Sequence, residues 1–256
     1  MRGGSQSHLM RASDGNYYIT KFQNNPQDIR VLANEFLGTR LGLWLGLPMP
    51  EVAVIEVSDW LIANTPDLRI ELAGLATPCS SGLQLGSRHI GNPEQDRVFD
   101  YLPEALMLEK TRNLQAFAAV LVFDKWTGNA DGRQAIFSKR AGCAKYTAHF
   151  IDQGYCFNAG EWDFPDSPLR GVFARNCVYE HVTGWQSFEP TLSRLEQIDR
   201  SALWQLAEGV PEQWYQHDDR ALGRLLEALY QRRILVRDLI TGFRNSSRNP
   251  FPHWKD

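Results

Sequence analysis

The sequence predicts an α+β chain in two lobes, a small β-rich lobe followed by a mostly helical one. Two features of residue order predict it. β-prone runs with one amphipathic helix come first, and helical periodicity fills the last third, interrupted before that only by one hairpin signature. Strands and helices segregated along the chain in this way indicate α+β layering rather than alternating βαβ units. The expected division is 1–102 for the first lobe and 103–256 for the second.

Residues 8–11 and 17–22 are short β-prone runs joined by Ser13-Asp14-Gly15-Asn16, and an Asp-Gly pair favours a tight hairpin turn. Asn24-Asn25-Pro26 ends the second run. From 28 to 45, Ile29, Leu32, Phe36, Leu37, Leu41 and Leu45 recur mostly three or four apart, predicting an amphipathic helix. Gly46 and Pro48 stop it. The β-branched stretch 52–57 predicts a strand, and 58–95 is part strand and part loop, with a turn expected at Gly86-Ser87-Arg88.

The apolar run 114–126 predicts a buried helix. A second hairpin signature joins 134–138 to 146–151 around a segment that begins Lys139-Arg140-Ala141-Gly142. Residues 158–176 read as loop. The stretch 191–243 is helical by the spacing of Leu203 with Leu206, of Leu222, Leu225, Leu226 and Leu229, and of Ile234, Leu235 and Leu239. An irregular tail, 248–256, is expected to follow.

Hydrophobic residues make up 43% of the 256 and charged residues 22%, which is ordinary globular usage. The net charge of −3 lacks the bulk basic footprint of a nucleic-acid binder, so direct nucleic-acid binding is not expected. Cys79, Cys143, Cys156 and Cys177 are too scattered for a zinc ribbon or a redox pair and are expected as reduced, mostly buried thiols. No run approaches the ~18 apolar residues of a membrane span. The first residues lack the apolar core of a secretory signal, so a soluble, cytoplasmic chain is the expectation.

Three segments offer chemistry. Gly3-Gly4-Ser5-Gln6-Ser7 leaves backbone N–H groups free to approach phosphate oxygens, with the two serines adding hydroxyl donors. The same composition also makes a flexible linker, and no Gly-Lys-Ser/Thr follows to complete a Walker loop. Lys21 ends a half-buried strand, from which its ammonium can enter a cleft and meet phosphate, with Glu35 as counter-charge. A solvated lysine and glutamate are the plainer alternative.

The third segment runs from a buried helix through Thr127-Gly128-Asn129-Ala130-Asp131-Gly132-Arg133-Gln134 into a strand. After the hairpin, Phe150-Ile151-Asp152-Gln153-Gly154 ends in a second carboxylate. Asp131 and Asp152 can therefore converge on one point, as phosphoryl transfer requires. One carboxylate takes or orients the nucleophile's proton and the other holds Mg²⁺. Two turn aspartates capping loops fit the same residues.

These residues resemble a known family. Gly-Gly-Ser-Gln, the strand ending in Lys21-Phe22, Asn34-Glu35 and Gly46-Leu47-Pro48-Met49-Pro50 look like the N-terminal lobe of HipA-like kinases. The loop from Trp126 to Gln134, with the later Phe-Ile-Asp-Gln-Gly, is similar to their catalytic loop and metal-binding strand. The resemblance implies a bilobal protein-kinase-like fold that binds ATP and Mg²⁺. It implies that Gly3, Gly4, Ser5, Gln6 and Ser7 surround phosphates, that Lys21 contacts them, and that Glu35 anchors Lys21. It further implies Asp131 as catalytic base, Asp152 as metal ligand, and an adenine pocket and lobe connection within 85–102.

Where the related pattern carries a metal-binding Asn five residues after the catalytic Asp, this chain has Ile136, leaving Gln134 or Asn129 as the nearest amide. The resemblance also implies a strand before the glycine turn, which is expected to be very short or missing. The implied activity is Mg-ATP-dependent phosphotransfer to a hydroxyl, with a protein Ser/Thr acceptor favoured by the likeness. The alternative, motivated by Ile136, is a nucleotide-binding pseudokinase or a regulatory interaction module. The eight Trp side chains suit either a core or an interface.

Overall fold

The computed structural model describes residues 4–255, so Gly3 of the glycine segment lies outside it. Strands β1 (His8–Arg11) and β2 (Tyr17–Lys21) form the first hairpin, with Met10 opposite Tyr18. Asp14 fixes the turn by accepting from the Asn16 N–H at 2.9 Å and the Tyr18 hydroxyl at 2.8 Å. Helix α1 (Arg30–Trp44) follows, and Gly46, at φ +84°, adopts the left-handed conformation that ends helices.

Strand β3 (Val52–Val57) leads into α2 (Asp59–Asn64), whose first turn is capped by Ser58 accepting from the Leu61 N–H. A small hairpin of β4 (Arg69–Leu72) and β5 (Leu75–Pro78) precedes β6 (Gly82–Arg88). The main sheet has the antiparallel order β1-β2-β6-β3.

Gly86-Ser87-Arg88 is strand, not the turn expected from its composition. Gly86 sits between Thr20 of β2 and Ala53 of β3, where a Cβ would lie 2.2 Å from Ile55 Cδ1. The glycine makes room for a neighbour's side chain inside the sheet rather than for a bend.

A three-stranded sheet joins β7 (Arg97–Phe99), β8 (Gln134–Lys139) and β9 (Thr147–Ile151). Between β7 and β8 lie α3 (Glu104–Lys110) and α4 (Ala116–Thr127), and α5 (Thr191–Glu196), α6 (Arg200–Ala207), α7 (Asp219–Arg232) and α8 (Val236–Arg244) complete the helical half. Asp199 and Asp218 cap α6 and α7 by accepting from the N–H groups of Ala202 and Ala221. The tail stays irregular, yet Phe251 and Trp254 pack edge-to-face against Phe188 and Trp185. All four cysteines are free thiols, and only Cys143 is not buried.

One continuous hydrophobic core runs from α1 through α4 to α8, and a small satellite core of Phe22, Val57, Leu68, Ile70 and Cys79 underlies the first sheet. Helix α1 thus belongs by sequence to the β-rich half and by packing to the helical half. No helix among the described residues is long and apolar enough to cross a membrane.

Within the core, Lys125 on α4 is 4% exposed and donates to the carbonyls of Pro168 at 2.8 Å and Arg170 at 2.7 Å. Burial, only partly offset by Asp124 and Asp166, pushes its ammonium down to about 8. The unfolded lysine titrates near 10.4, so the unfolded chain holds the extra proton between the two values, and raising the pH through that window favours the fold. The stability gap between wild type and Lys125→Met should therefore move toward wild type by about 2–3 kcal/mol from pH 8 to 10.5, read by urea denaturation. At the sheet, Gly86→Val should cost about 1–3 kcal/mol by overpacking against Ile55, measured the same way at pH 7.

Candidate active site

Lys21 is the last residue of β2, paired with Leu85 of β6, and Glu35 lies on the buried face of α1. Lys21 Nζ donates to Glu35 Oε2 at 2.8 Å and to Asp152 Oδ1 at 2.9 Å. Asp152 directly follows β9 and has φ +62°, a left-handed conformation unusual for a residue with a side chain. Its Oδ2 accepts from Gln134 Nε2 at 3.0 Å. Strand pairing places Gln134 opposite Ile151, the residue just before Asp152.

The ammonium thus bridges two carboxylates. Burial alone would depress Lys21, but Glu35 and Asp152 outweigh it and hold the amine above its ordinary value. Burial likewise works to raise the Asp152 carboxyl, and Lys21 followed by Arg133 holds it below the usual carboxylate range. One cation and two anions leave the cluster with an excess negative charge. The Asp152 side chain is 31% exposed, so that charge faces solvent.

Asp131 forms no hydrogen bond or ion pair with this cluster. It stands exposed in the loop between α4 and β8, its Oδ1 accepting from the Gly132 N–H at 2.7 Å. Asn129 is committed to the loop itself. Its Nδ2 donates to Asp124 Oδ1 at 2.9 Å and its Oδ1 accepts from the Asp131 N–H at 3.1 Å. Of the two amides open to a metal role, only Gln134 touches Asp152.

In the glycine segment, a Cβ on Gly4 would lie 3.1 Å from Gln27 Nε2, and that amide donates to the Tyr155 hydroxyl at 3.2 Å. Gln6, at φ +46°, pairs its side-chain amide with the backbone of Glu71 on β4, donating at 2.9 Å and accepting at 2.6 Å. Ser5 and Ser7 are half-buried. The segment is therefore tied at Gln6 to the β4 edge and passes Gln27, which reaches the loop just beyond Asp152.

Sequence reasoning missed the frame under the site. Asp124 and Arg133 form an ion pair with both side chains inaccessible to solvent. Arg133 Nε donates to Asp124 Oδ2 at 3.0 Å, while Nη1 donates to the Ile151 carbonyl at 2.8 Å and to Gln153 Oε1. One guanidinium therefore grips the residues on both sides of Asp152. The signal was present, because Asp124 is a charge inside the apolar helix AFAAVLVFDKWT and a buried charge demands a partner. Asn34 was also missed as a tether. Its Nδ2 donates to the carbonyls of Gly154, Cys156 and Ala159, and its Oδ1 accepts from Trp162 Nε1 at 2.7 Å.

A β-rich lobe carrying a Lys–Glu pair, set against a helical lobe carrying the Asp131 loop and the Asp152 strand, defines a bilobal protein-kinase-like fold. A family model described as HipA-like kinase matches residues 1–237, and the chain belongs to the HipA-like kinase family. The family is one of kinase-type phosphotransferases. Among solved structures, the Helicobacter pylori proinflammatory kinase CtkA is similar at 14% identity and TM-score 0.54, over 91% of this chain and 93% of that one. The Golgi casein kinase with Mn/ADP bound is similar at 11% identity and TM-score 0.54, over 96% of this chain and 72% of that one. At such identities the likeness is one of fold. No curated protein matches the chain by sequence.

Replacing Arg133 with Met strands Asp124 in the core without a counter-charge. The variant should lose about 3–5 kcal/mol of stability in urea denaturation, and Arg133→Lys should lose much of that too, because one ammonium cannot reach every acceptor.

Proposed function

We propose that the protein is a Mg-ATP-dependent phosphotransferase, with residues 1–102 as its N-lobe and 103–256 as its C-lobe. The observation that carries this reading is the Lys21 ammonium held between Glu35 and Asp152. Glu35 keeps Lys21 charged and aimed from the sheet toward the Asp152 strand, where it would meet the α- and β-phosphates. Gly4, Ser5, Gln6 and Ser7, with Gly3, would cover those phosphates through backbone N–H groups.

The residues fit a divalent cation. The cluster carries surplus negative charge, each Asp152 oxygen keeps a second lone-pair position, and the Gln134 carbonyl oxygen is not consumed by its bond to Asp152. Asp152 and Gln134 would hold the metal together with phosphate oxygens, since Mg²⁺ sites near phosphates need only one or two protein ligands. When bound, the metal neutralises charge on the transferring phosphoryl group.

Asp131 would accept the proton of the acceptor hydroxyl. Its carboxylate is exposed, with Oδ1 held by the Gly132 N–H and its backbone N–H fixed by Asn129. A Ser/Thr hydroxyl of a protein is the acceptor we favour. The second reading is a nucleotide-binding protein without phosphoryl transfer, favoured by Ile136 at the expected Asn position and by Gln134 acting here as a donor to Asp152.

Thermal unfolding with ATP, ADP and GTP, each with and without Mg²⁺, tests the proposal. Nucleotide at ~100 times its dissociation constant should stabilise the fold by about 2.7 kcal/mol, roughly 5–10 °C for a domain of this size. Asp152→Asn should shrink the Mg²⁺-dependent part, and Asp131→Ala should abolish turnover while keeping the shift. A shift indifferent to Mg²⁺ would favour the second reading, and no shift with any nucleotide would remove the nucleotide cleft.

A further inference from the structure

A cavity of about 290 Å³ opens where the β8–β9 hairpin turn meets the connection between β6 and β7. None of Lys21, Glu35, Asp131, Gln134 or Asp152 lines it. Its walls carry Arg112, Lys139, Arg140 and Lys145, against the single carboxylate of Asp96. Asp96 is already engaged, its Oδ2 accepting from the Asn92 N–H at 2.9 Å. Among the described residues none of the four cations forms a salt bridge, although Lys139 lies over the Tyr146 ring at 5.2 Å.

Four cations gathered into one concavity, in a chain of net charge −3, outnumber the single carboxylate of Asp96 and leave a local surplus of positive charge. Two stretches build the cluster: Arg112 at the start of the α3–α4 connection, and Lys139, Arg140 and Lys145 from the end of β8 and the hairpin turn that follows it. Such a concave, single-sign surface focuses field and concentrates anions. The volume is near the lower end of the ~300–1,000 Å³ typical of small-molecule sites, and Ile90 and Gly91 form part of its wall.

We propose that this cavity is a binding site for a small polyphosphate group, separate from the Lys21 cluster. Guanidinium and ammonium donors are the groups that bind phosphate oxygens through charge-assisted hydrogen bonds. The site and the Lys21 cluster lie at opposite ends of one hairpin. Ser138 and Thr147 pair at the cavity end, and Gln134 and Ile151 pair at the Asp152 end.

Inorganic tripolyphosphate in EDTA is the probe, with two readouts. Calorimetry should show binding that Arg112→Ser/Lys145→Ser weakens at least tenfold and that Lys21→Gln changes less than twofold. The two substituted cations are solvent-exposed, so the double variant should fold, which its melting curve checks. Cys143 lines the cavity and is the one cysteine not buried, so bound tripolyphosphate should slow its alkylation by iodoacetamide at least threefold in mass spectra. Absence of binding, loss of binding in Lys21→Gln alone, or binding that leaves Cys143 unprotected would overturn the proposal. Tighter binding of single-stranded RNA or a polyglutamate peptide than of tripolyphosphate would overturn the small-ligand assignment.

Discussion

The Arg133 guanidinium, out of contact with solvent, satisfies both oxygens of Asp124, the Ile151 carbonyl and the Gln153 amide oxygen, and the geometry of the site hangs on that set of bonds. Desolvating two ions costs several kcal/mol each, which a bare ion pair barely recovers. Here the remaining polar capacity is also used, because Asn129 donates to the same Asp124 carboxylate. The network therefore belongs to the class in which every member is satisfied and rigidity follows. It joins the end of α4, the Asp131 loop and the strand before Asp152 into one unit.

The Lys21 cluster is built on the opposite principle. Its charges do not cancel, and its outermost carboxylate reaches water. A closed network has no polar capacity left to offer, whereas the Lys21 cluster ends on a carboxylate at the solvent boundary. The two sites also draw on the chain differently. Asp124 and Arg133 are local to the helical half, while Lys21 meets Asp152 across a long stretch of sequence.

Elements with a long period or a sharp turn were legible in the sequence. Both hairpins, α1 and α4 follow from residue spacing, and Lys21 and Asp152 stood out as charges at the ends of strands, with Glu35 on the helix between them as the counter-charge. What escaped lacked a period. Helix α2 buries none of its residues, β7 is three residues long, and β4 with β5 is a short hairpin in a mixed stretch. Gly86 misled because a glycine that admits a neighbour's side chain is written the same way as one that bends the chain. Arg133 and Asn34 escaped because their importance comes from the number of acceptors folding brings to them. The basic cavity escaped because three of its cations sit in a run that reads as an ordinary hairpin turn, the fourth, Arg112, joins them only on folding, and the total charge is negative.

Asn34 and Glu35 are neighbours on α1, one binding the loop beyond Asp152 and the other binding Lys21. Adjacent helical residues point about 100° apart, so they are fixed to one rigid rod and cannot move independently. A turn of that rod large enough to part Glu35 from Lys21 also pulls Asn34 from three carbonyls and from the Trp162 indole. Charge alignment in the cleft and order in the following loop are thus gained or lost in one step, which makes α1 a latch with two teeth rather than a dial.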